Sequence, residues 1–266
     1  MRRKILSATW PSPIPHFLLI ILLVAGIALV PGAKPLAAAS SASFIGLNDN
    51  NQLVRFTNAQ PGALQRVTPI TGLATGESLL GIDFRPATGG LYGLGSSNRL
   101  YTIDQNTGAA TAVVSATFAI TLTGTSFGFD FNPQVDRIRA VSDAGQNLRL
   151  NPLTGGVADA DPNTPGVQAD GPLNGASTSI VASAYTNNIS GTVATTLYGI
   201  DAATDQLFIQ NPPNAGTQVL VGPLGVDVTA AASFDIVDDA TAFAALNPVG
   251  GTATVLSFEK RCRNTE

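Results

Sequence analysis

The sequence is short of the residues that most enzymes use. It has a single cysteine, Cys262, and a single histidine, His16. Charged residues make up only 12% of the chain, against about 25% in an ordinary globular protein. A lone cysteine excludes an internal disulfide, so strand pairing and apolar burial must hold the fold. With His16 near the N-terminus, the remaining chain has no Ser-His-Asp or Cys-His nucleophilic set. It also has no His- or Cys-based zinc site and no haem ligation through either residue. No P-loop is present. The glycines of residues 89–95 (GGLYGLG) are not followed by a helical pattern, so they do not form a dinucleotide fingerprint. Past residue 39 the one lysine is Lys260, in the C-terminal tail, which argues against a buried Schiff-base lysine.

What is abundant is apolar sequence, at 44%, together with 27 glycines and 17 prolines. Part of the apolar content is at the N-terminus. Arg2, Arg3 and Lys4 precede an unbroken apolar run at residues 17–30, and Pro31 and Gly32 end it. Ala37, Ala38 and Ala39 follow with the small side chains that a signal peptidase requires. The order is that of a cleavable signal peptide over residues 1–39, and the expected product is secreted. The run of 14 residues is shorter than the roughly 20 that cross a bilayer as a helix. An uncleaved anchor is the alternative. Residues 40–266 carry ten basic against 18 acidic side chains, and an acidic surface repels nucleic-acid phosphates.

The rest of the chain repeats itself. Residues 79–113, 126–157, 180–211 and 232–258 each open with a short apolar strand, turn, and continue through two more strands. A weaker fourth follows in some (ATAVV, TQVLV). The first strands carry Asp83, Asp130 and Asp235 at one position, with Ala184 at the fourth equivalent, at spacings of 47, 54 and 51 residues. Residues 44–70 match the later strands of a unit but have no opening strand. Two polar turns (DQNTG at 104–108 and NPLTG at 151–155) share one form, and DAATD at 201–205 is a variant. In it an opening Asp or Asn bonds backbone ahead of it, and a closing Gly takes positive φ. Units of about 40–50 residues with four short strands are the signature of propeller blades. The expected fold is all-β, a β-propeller-like repeat over residues 44–258 with about five four-stranded blades and its closure left open. A charged tail over residues 259–266 has no strand pattern. Residues 158–179 are rich in Pro, Gly, Asn and Asp and read as a long connection.

The stretches GESLLGIDFRPATGGLYGL, RLYTIDQNTGAATAV, GFDFNPQVDRIRAVSDAGQNLRLNP, AYTNN and LYGIDAATDQLFIQNPPNAGT resemble the DUF4394 family, a domain of unknown function on exported bacterial proteins. The resemblance covers residues 44–247. It implies an exported repeat β domain and brings no activity, substrate or catalytic residue. Members continue past the FAAL-like strand with a further hairpin. Here TVLSF runs into the tail, which leaves completion of the last unit open.

Two chemical readings of the acids stand side by side. If the first strands line an axis, Asp83, Asp130 and Asp235 converge as a Ca²⁺ site or supply the acid and base of a hydrolase or lactonase. The plainer reading is that a residue repeated once per unit serves the unit itself. Arg85, Arg137 and Arg139 are nearby cations available to pair with those acids. Asp159, Asp161 and Asp170, with Asn163 and Gly166, loosely suggest a Ca²⁺ loop without EF-hand order. Tyr92, Tyr101, Tyr185, Tyr198 and Phe208 offer either a sugar-stacking surface or packing between units. The favoured function is non-enzymatic, with no catalytic residue assigned. It is binding of an extracellular protein or polysaccharide, or a structural role.

Overall fold

The computed structural model describes residues 4–6, 22–24, 42–237, 241–249 and 254–259. Cys262, residues 260–266 and most of the N-terminal segment lie outside the described residues.

Twenty strands form five sheets, and no α-helix occurs among the described residues. The first sheet is β2 (Leu22–Val24), β3 (Ser43–Asn48), β4 (Gln52–Thr57) and β5 (Arg66–Pro69), in that order. The second is β6 (Leu79–Phe84), β7 (Leu91–Gly95), β8 (Arg99–Ile103) and β9 (Ala110–Ala112). The third has three strands, β10 (Phe127–Asn132), β11 (Arg137–Ser142) and β12 (Asn147–Leu150), and only a single bridge from Leu150 to Val157 marks a fourth. The fourth has five. β14 (Ala182–Tyr185), β15 (Leu197–Asp201), β16 (Gln206–Gln210) and β17 (Thr217–Pro223) form an antiparallel meander. The two-residue β13 (Asn174–Gly175) joins the outer edge of β17 in parallel. The fifth is β18 (Val228–Ile236), β19 (Thr241–Pro248), β20 (Thr254–Glu259) and β1 (Lys4–Leu6).

The expected five units are therefore present, with local corrections. The first unit has an opening strand after all, since Leu22–Val24 pairs with β3. The fifth gains a fourth strand from Lys4–Leu6. Residues 158–179 are not only a connection, because Asn174 and Gly175 extend the fourth sheet. Glu259 belongs to β20 rather than to the tail.

The turn chemistry is as expected. Asp104 Oδ1 accepts the Asn106 and Thr107 amides, Asn151 Oδ1 that of Leu153, and Asp201 Oδ1 those of Ala203 and Thr204. Gly108 and Gly155 close the first two turns at φ 74° and 64°, and Asp205 takes the same backbone region at φ 55°.

Each sheet hides its faces against neighbours, because one unit alone cannot shield both. Ile45, Leu47 and Leu53 of the first sheet pack on Leu79, Ile82 and Tyr101 of the second. Tyr92, Leu94 and Leu100 pack on Phe127, Phe131 and Ile138 of the third. Val181, Ala184 and Ile200 of the fourth meet Phe234, Ala244 and Leu246 of the fifth. Phe44, Val54 and Phe56 of the first sheet meet Phe243 and Ala245 of the fifth. There the Phe44 and Phe243 rings stand edge to face at 4.9 Å. The apolar cluster between the third and fourth sheets is the smallest, with Val141, Leu173, Ile180 and Phe208.

The strands β6, β10, β14 and β18 run side by side as the inner strands of their sheets. Their approach is close enough to need glycine. A Cβ on Gly81 would lie 2.7 Å from Phe129 Cβ, and one on Gly128 would lie 2.5 Å from Ser183 Oγ and 2.7 Å from its backbone nitrogen. Gly128→Ala is expected to cost about 1–3 kcal/mol, because the neighbour in its way is partly backbone. Gly156→Ala, which meets nothing nearer than 3.7 Å, is expected to stay within about 0.5 kcal/mol of the parent. Chemical denaturation of the two variants checks the difference, and equal midpoints would show that the inner strands are free to separate.

Candidate functional site

The three repeated aspartates all lie on inner strands, two residues after Gly81, Gly128 or Ser233, and all are buried. Asp83 Oδ2 accepts the Phe131 amide of the next inner strand at 2.6 Å, and Oδ1 accepts the Phe84 amide at 2.7 Å. Asp130 Oδ1 accepts the Tyr185 amide of the strand after that, at 3.1 Å. In both cases the donor is the residue following the equivalent position in the neighbouring sheet. The carboxylates thus tie one inner strand to the next.

These acids also feel each other. Burial pushes the Asp83 carboxyl well above the usual range, and the Asp235 charge pushes it further. Asp130 is raised by burial and then by Asp83 and Asp235. The sheets of Asp83 and Asp235 are separated by the first sheet, so their repulsion acts across a shared centre. Among the described residues no group of three or more His, Cys, Asp or Glu is placed to hold a metal ion.

The expected arginine partners go elsewhere. Arg85 binds Asp136 through two nitrogens, with Nε at 2.8 Å from Oδ1. Arg137 donates to the Asp136 carbonyl. Arg139 lies opposite Asp130 in the β10–β11 register, yet it donates to Asp170 at 2.6 Å, Asn147 at 2.8 Å and Asn214 at 2.7 Å. The loop acids do not converge either. Asp159 accepts the Asp161 and Gln168 amides, Asp161 is bound by Asn163 and Thr164, and Asp170 is buried among arginines. The aromatic residues pack inward: Tyr92 stands edge to face on Phe131, the Tyr101 hydroxyl binds Glu77, and Phe208 is fully buried.

A cleft that the acids do not line opens between the third and fourth sheets. It has a volume of about 470 Å³. Arg137 and Arg139 of β11 and Arg149 of β12 line it. Val135, Ile138, Pro212 and Pro213 supply apolar wall, with Asn132, Asn214 and Tyr185 at its polar points. The seven arginines of residues 42–237 are the only basic side chains in that span, and three of them meet here.

The third–fourth interface has the smallest apolar cluster and a buried polar network beside it. Arg139 and Arg149 face each other in register, a like-charge pairing that is unfavourable unless an acid lies between them. Asp170 supplies the acid. It takes Arg139 Nη1 at 2.6 Å and Arg149 Nε and Nη2 at 2.7 and 2.8 Å. Asn147 bridges Arg139 to the carbonyls of Gly171 and Pro213, and Gln210 of β16 and Gln218 of β17 extend the chain of bonds. Two buried donors of cleft-lining residues have no partner among the described residues, Arg139 Nε and Tyr185 Oη. A buried unpaired donor costs about 1–3 kcal/mol. Arg149, Asp170 and Asn214 were not foreseen as parts of one site. The readable signal was the pair of alternating segments RIR and LRL, which place Arg139 opposite Arg149.

Five sheets packed in sequence about a shared centre define a β-propeller-like repeat domain. The chain belongs to the family described as domain of unknown function (DUF4394), whose model matches residues 52–258. No curated relative matches it. Among solved structures it is similar to a protein of unknown function from Bacteroides thetaiotaomicron, with TM-score 0.52, 12% identity, and 83% of this chain aligned to 56% of that one. It is also similar to the β-propeller domain of Cps50 (Swd1) from Myceliophteria thermophila, at TM-score 0.45, 12% identity, and 82% and 67% coverage. YCF48 from Cyanidioschyzon merolae aligns at TM-score 0.42, 13% identity, and 82% and 66% coverage. The likeness to the Bacteroides protein shows the fold alone. No helix among the described residues is long and apolar enough to cross a membrane.

The raised carboxyl groups set a pH dependence. A folded pKa above the unfolded value of about 3.9 means the folded state binds more protons, so stability falls as pH rises from about 4 through the raised value. The protein is expected to melt higher at pH 5 than at pH 8. Asp130→Asn keeps an acceptor for the Tyr185 amide and removes the buried charge, so it should flatten this slope and raise the melting temperature at pH 8. Asp130→Ala leaves the amide without its partner and should lower it at both pH values. Thermal melts across pH decide the matter, and an Asn variant as damaged as Ala would show that the charge itself is needed.

Proposed function

We propose that this is an exported, non-enzymatic recognition domain that binds an extracellular protein or polysaccharide through the cleft between the third and fourth sheets. The observation that carries this reading is the polar interface itself. The apolar cluster is smallest here, three arginines line an open cleft, and two of the lining residues bury a polar atom without a partner. Binding sites are where a fold departs from its own packing rule. Export is supported by the basic start, the 14-residue apolar run and the alanines before residue 40. The alternative, a carboxylate- or Ca²⁺-dependent hydrolase or lactonase, would draw on Asp83, Asp130 and Asp235. Asp83 and Asp130 are buried and already accept backbone amides, which favours a structural role for them.

Expression of the full precursor in an exporting bacterial host tests the first half. The expected product is found outside the cytoplasm with residues 1–39 removed, and with them the strands Lys4–Leu6 and Leu22–Val24. A full-length product held in the membrane would establish the uncleaved anchor instead. Glycan arrays and pull-downs with the exported product test the second half. Capture of no ligand by either method would count against recognition. Turnover of lactone or glycoside substrates that Asp83→Asn abolishes would establish the enzyme.

A further inference from the structure

We propose that the cleft binds a carboxylate group carried on an apolar stem; this rests on the recognition reading and names the chemistry of the ligand. The uncommitted polar atoms of the cleft-lining residues named here can all donate. Arg139 Nε and Tyr185 Oη are buried and unpartnered, and Arg137 makes a single bond, from Nη1 to a backbone carbonyl. A site built from donors calls for an acceptor-only group, and arginine presents its donors in a fork that fits a planar carboxylate.

The charge points the same way. Arg139 and Arg149 share the single charge of Asp170, and Arg137 has no acid bound to it, so positive charge is in surplus at the cleft. That surplus of positive charge calls for an anionic ligand. The stem follows from the walls. Val135, Ile138, Pro212 and Pro213 offer apolar surface and no hydrogen-bond donors from their side chains. The one aromatic of the cleft, Tyr185, is buried to 3% and gives no exposed ring face for a sugar to stack on.

Position supports the assignment independently of charge. The Tyr185 amide is the one held by Asp130, so the inner-strand tie fixes the residue whose hydroxyl faces no partner. Arg139 is fixed by Asp170, Asn147 and Asn214. Both donors are thus held in place before any ligand arrives, and preorganisation of this kind spares a ligand the cost of ordering them.

The test is titration of the protein with N-acetyl-leucine, N-acetyl-leucinamide, galacturonate and inorganic phosphate, read by calorimetry and by thermal shift. N-acetyl-leucine is expected to bind and to raise the melting temperature, and its amide is expected to bind at least about tenfold more weakly. Arg137→Gln should weaken N-acetyl-leucine by about tenfold or more while leaving the unliganded melt unchanged. Tyr185→Phe removes a hydroxyl with no internal bond, so it should melt at or above the parent and still bind more weakly. Equal binding of acid and amide, stronger binding of galacturonate or of phosphate, or unchanged affinity in both variants would overturn the assignment. If none of the four binds while an array or pull-down ligand still does, the carboxylate assignment fails and recognition stands. If nothing binds in any format, recognition itself fails.

Discussion

The contact on which the architecture depends is a carboxylate reaching from one inner strand to the backbone amide of the next. Asp83 makes it to Phe131 and Asp130 makes it to Tyr185. Sheets that pack only through apolar faces can slide, since burial has no direction. A carboxylate–amide bond does have one, and it fixes the height of each sheet against its neighbour. Gly81 and Gly128 make the reach possible by letting the strands approach where a Cβ would collide. The cost is visible in the raised Asp83 and Asp130 carboxyls, which hold buried charge near Asp235. The tie is thus a compromise between alignment and electrostatic strain. At Ala184, between the fourth and fifth sheets, that position carries no carboxylate, and the packing of Val181, Ala184 and Ile200 on Phe234 and Leu246 holds the interface instead.

The third–fourth interface adds a second means to its Asp130–Tyr185 tie. Its apolar cluster is small, and a buried network of Arg139, Asn147, Asp170, Gln210 and Gln218 takes its place. Buried ion pairs seldom stabilise as well as apolar packing of the same volume, because desolvation offsets their attraction. Stability alone therefore does not account for placing three of seven arginines here. The connection over residues 158–179 follows from the network. It is long because it must leave β12, carry Asp170 between two arginines, and return to add Asn174 and Gly175 beside β17.

Features that act within one unit were legible in the sequence. The turns opened by Asp104, Asn151 and Asp201 bond their own backbone, so spacing and residue type suffice to recognise them. The recurrence of Asp83, Asp130 and Asp235 was equally plain. Their partners were not, because the bonds cross to a strand 48 or 55 positions away. Nearby cations looked like natural partners for these acids. Yet Arg139, set opposite Asp130 in register, turns to Asp170 in a segment whose composition resembles a surface loop. The cleft as a whole was illegible for the same reason: its residues come from β10, the turn after it, β11, β12, β14 and residues 212–214, and beyond the Arg139–Arg149 pairing no local pattern links them.

The two strands from the N-terminal segment bear on whether the domain would tolerate the proposed export. Leu22–Val24 covers the inner edge of the first sheet and Lys4–Leu6 the outer edge of the fifth. An open strand edge invites pairing with another chain. If export removes residues 1–39, β3 and β20 lose those neighbours, and the first and fifth sheets are left to rely on Phe44, Phe56, Phe243 and Ala245 packed between them. That aromatic contact lies face to face rather than at the edges, so it does not depend on the missing strands. The first sheet gives up ladder bonds without giving up its buried face, whereas a helical leader packed into the core could not be cut away so cheaply. A domain held by inter-sheet faces and inner-strand carboxylates is the kind of fold that tolerates loss of its outermost pairing, which reconciles a removable leader with a sheet order that has room for it.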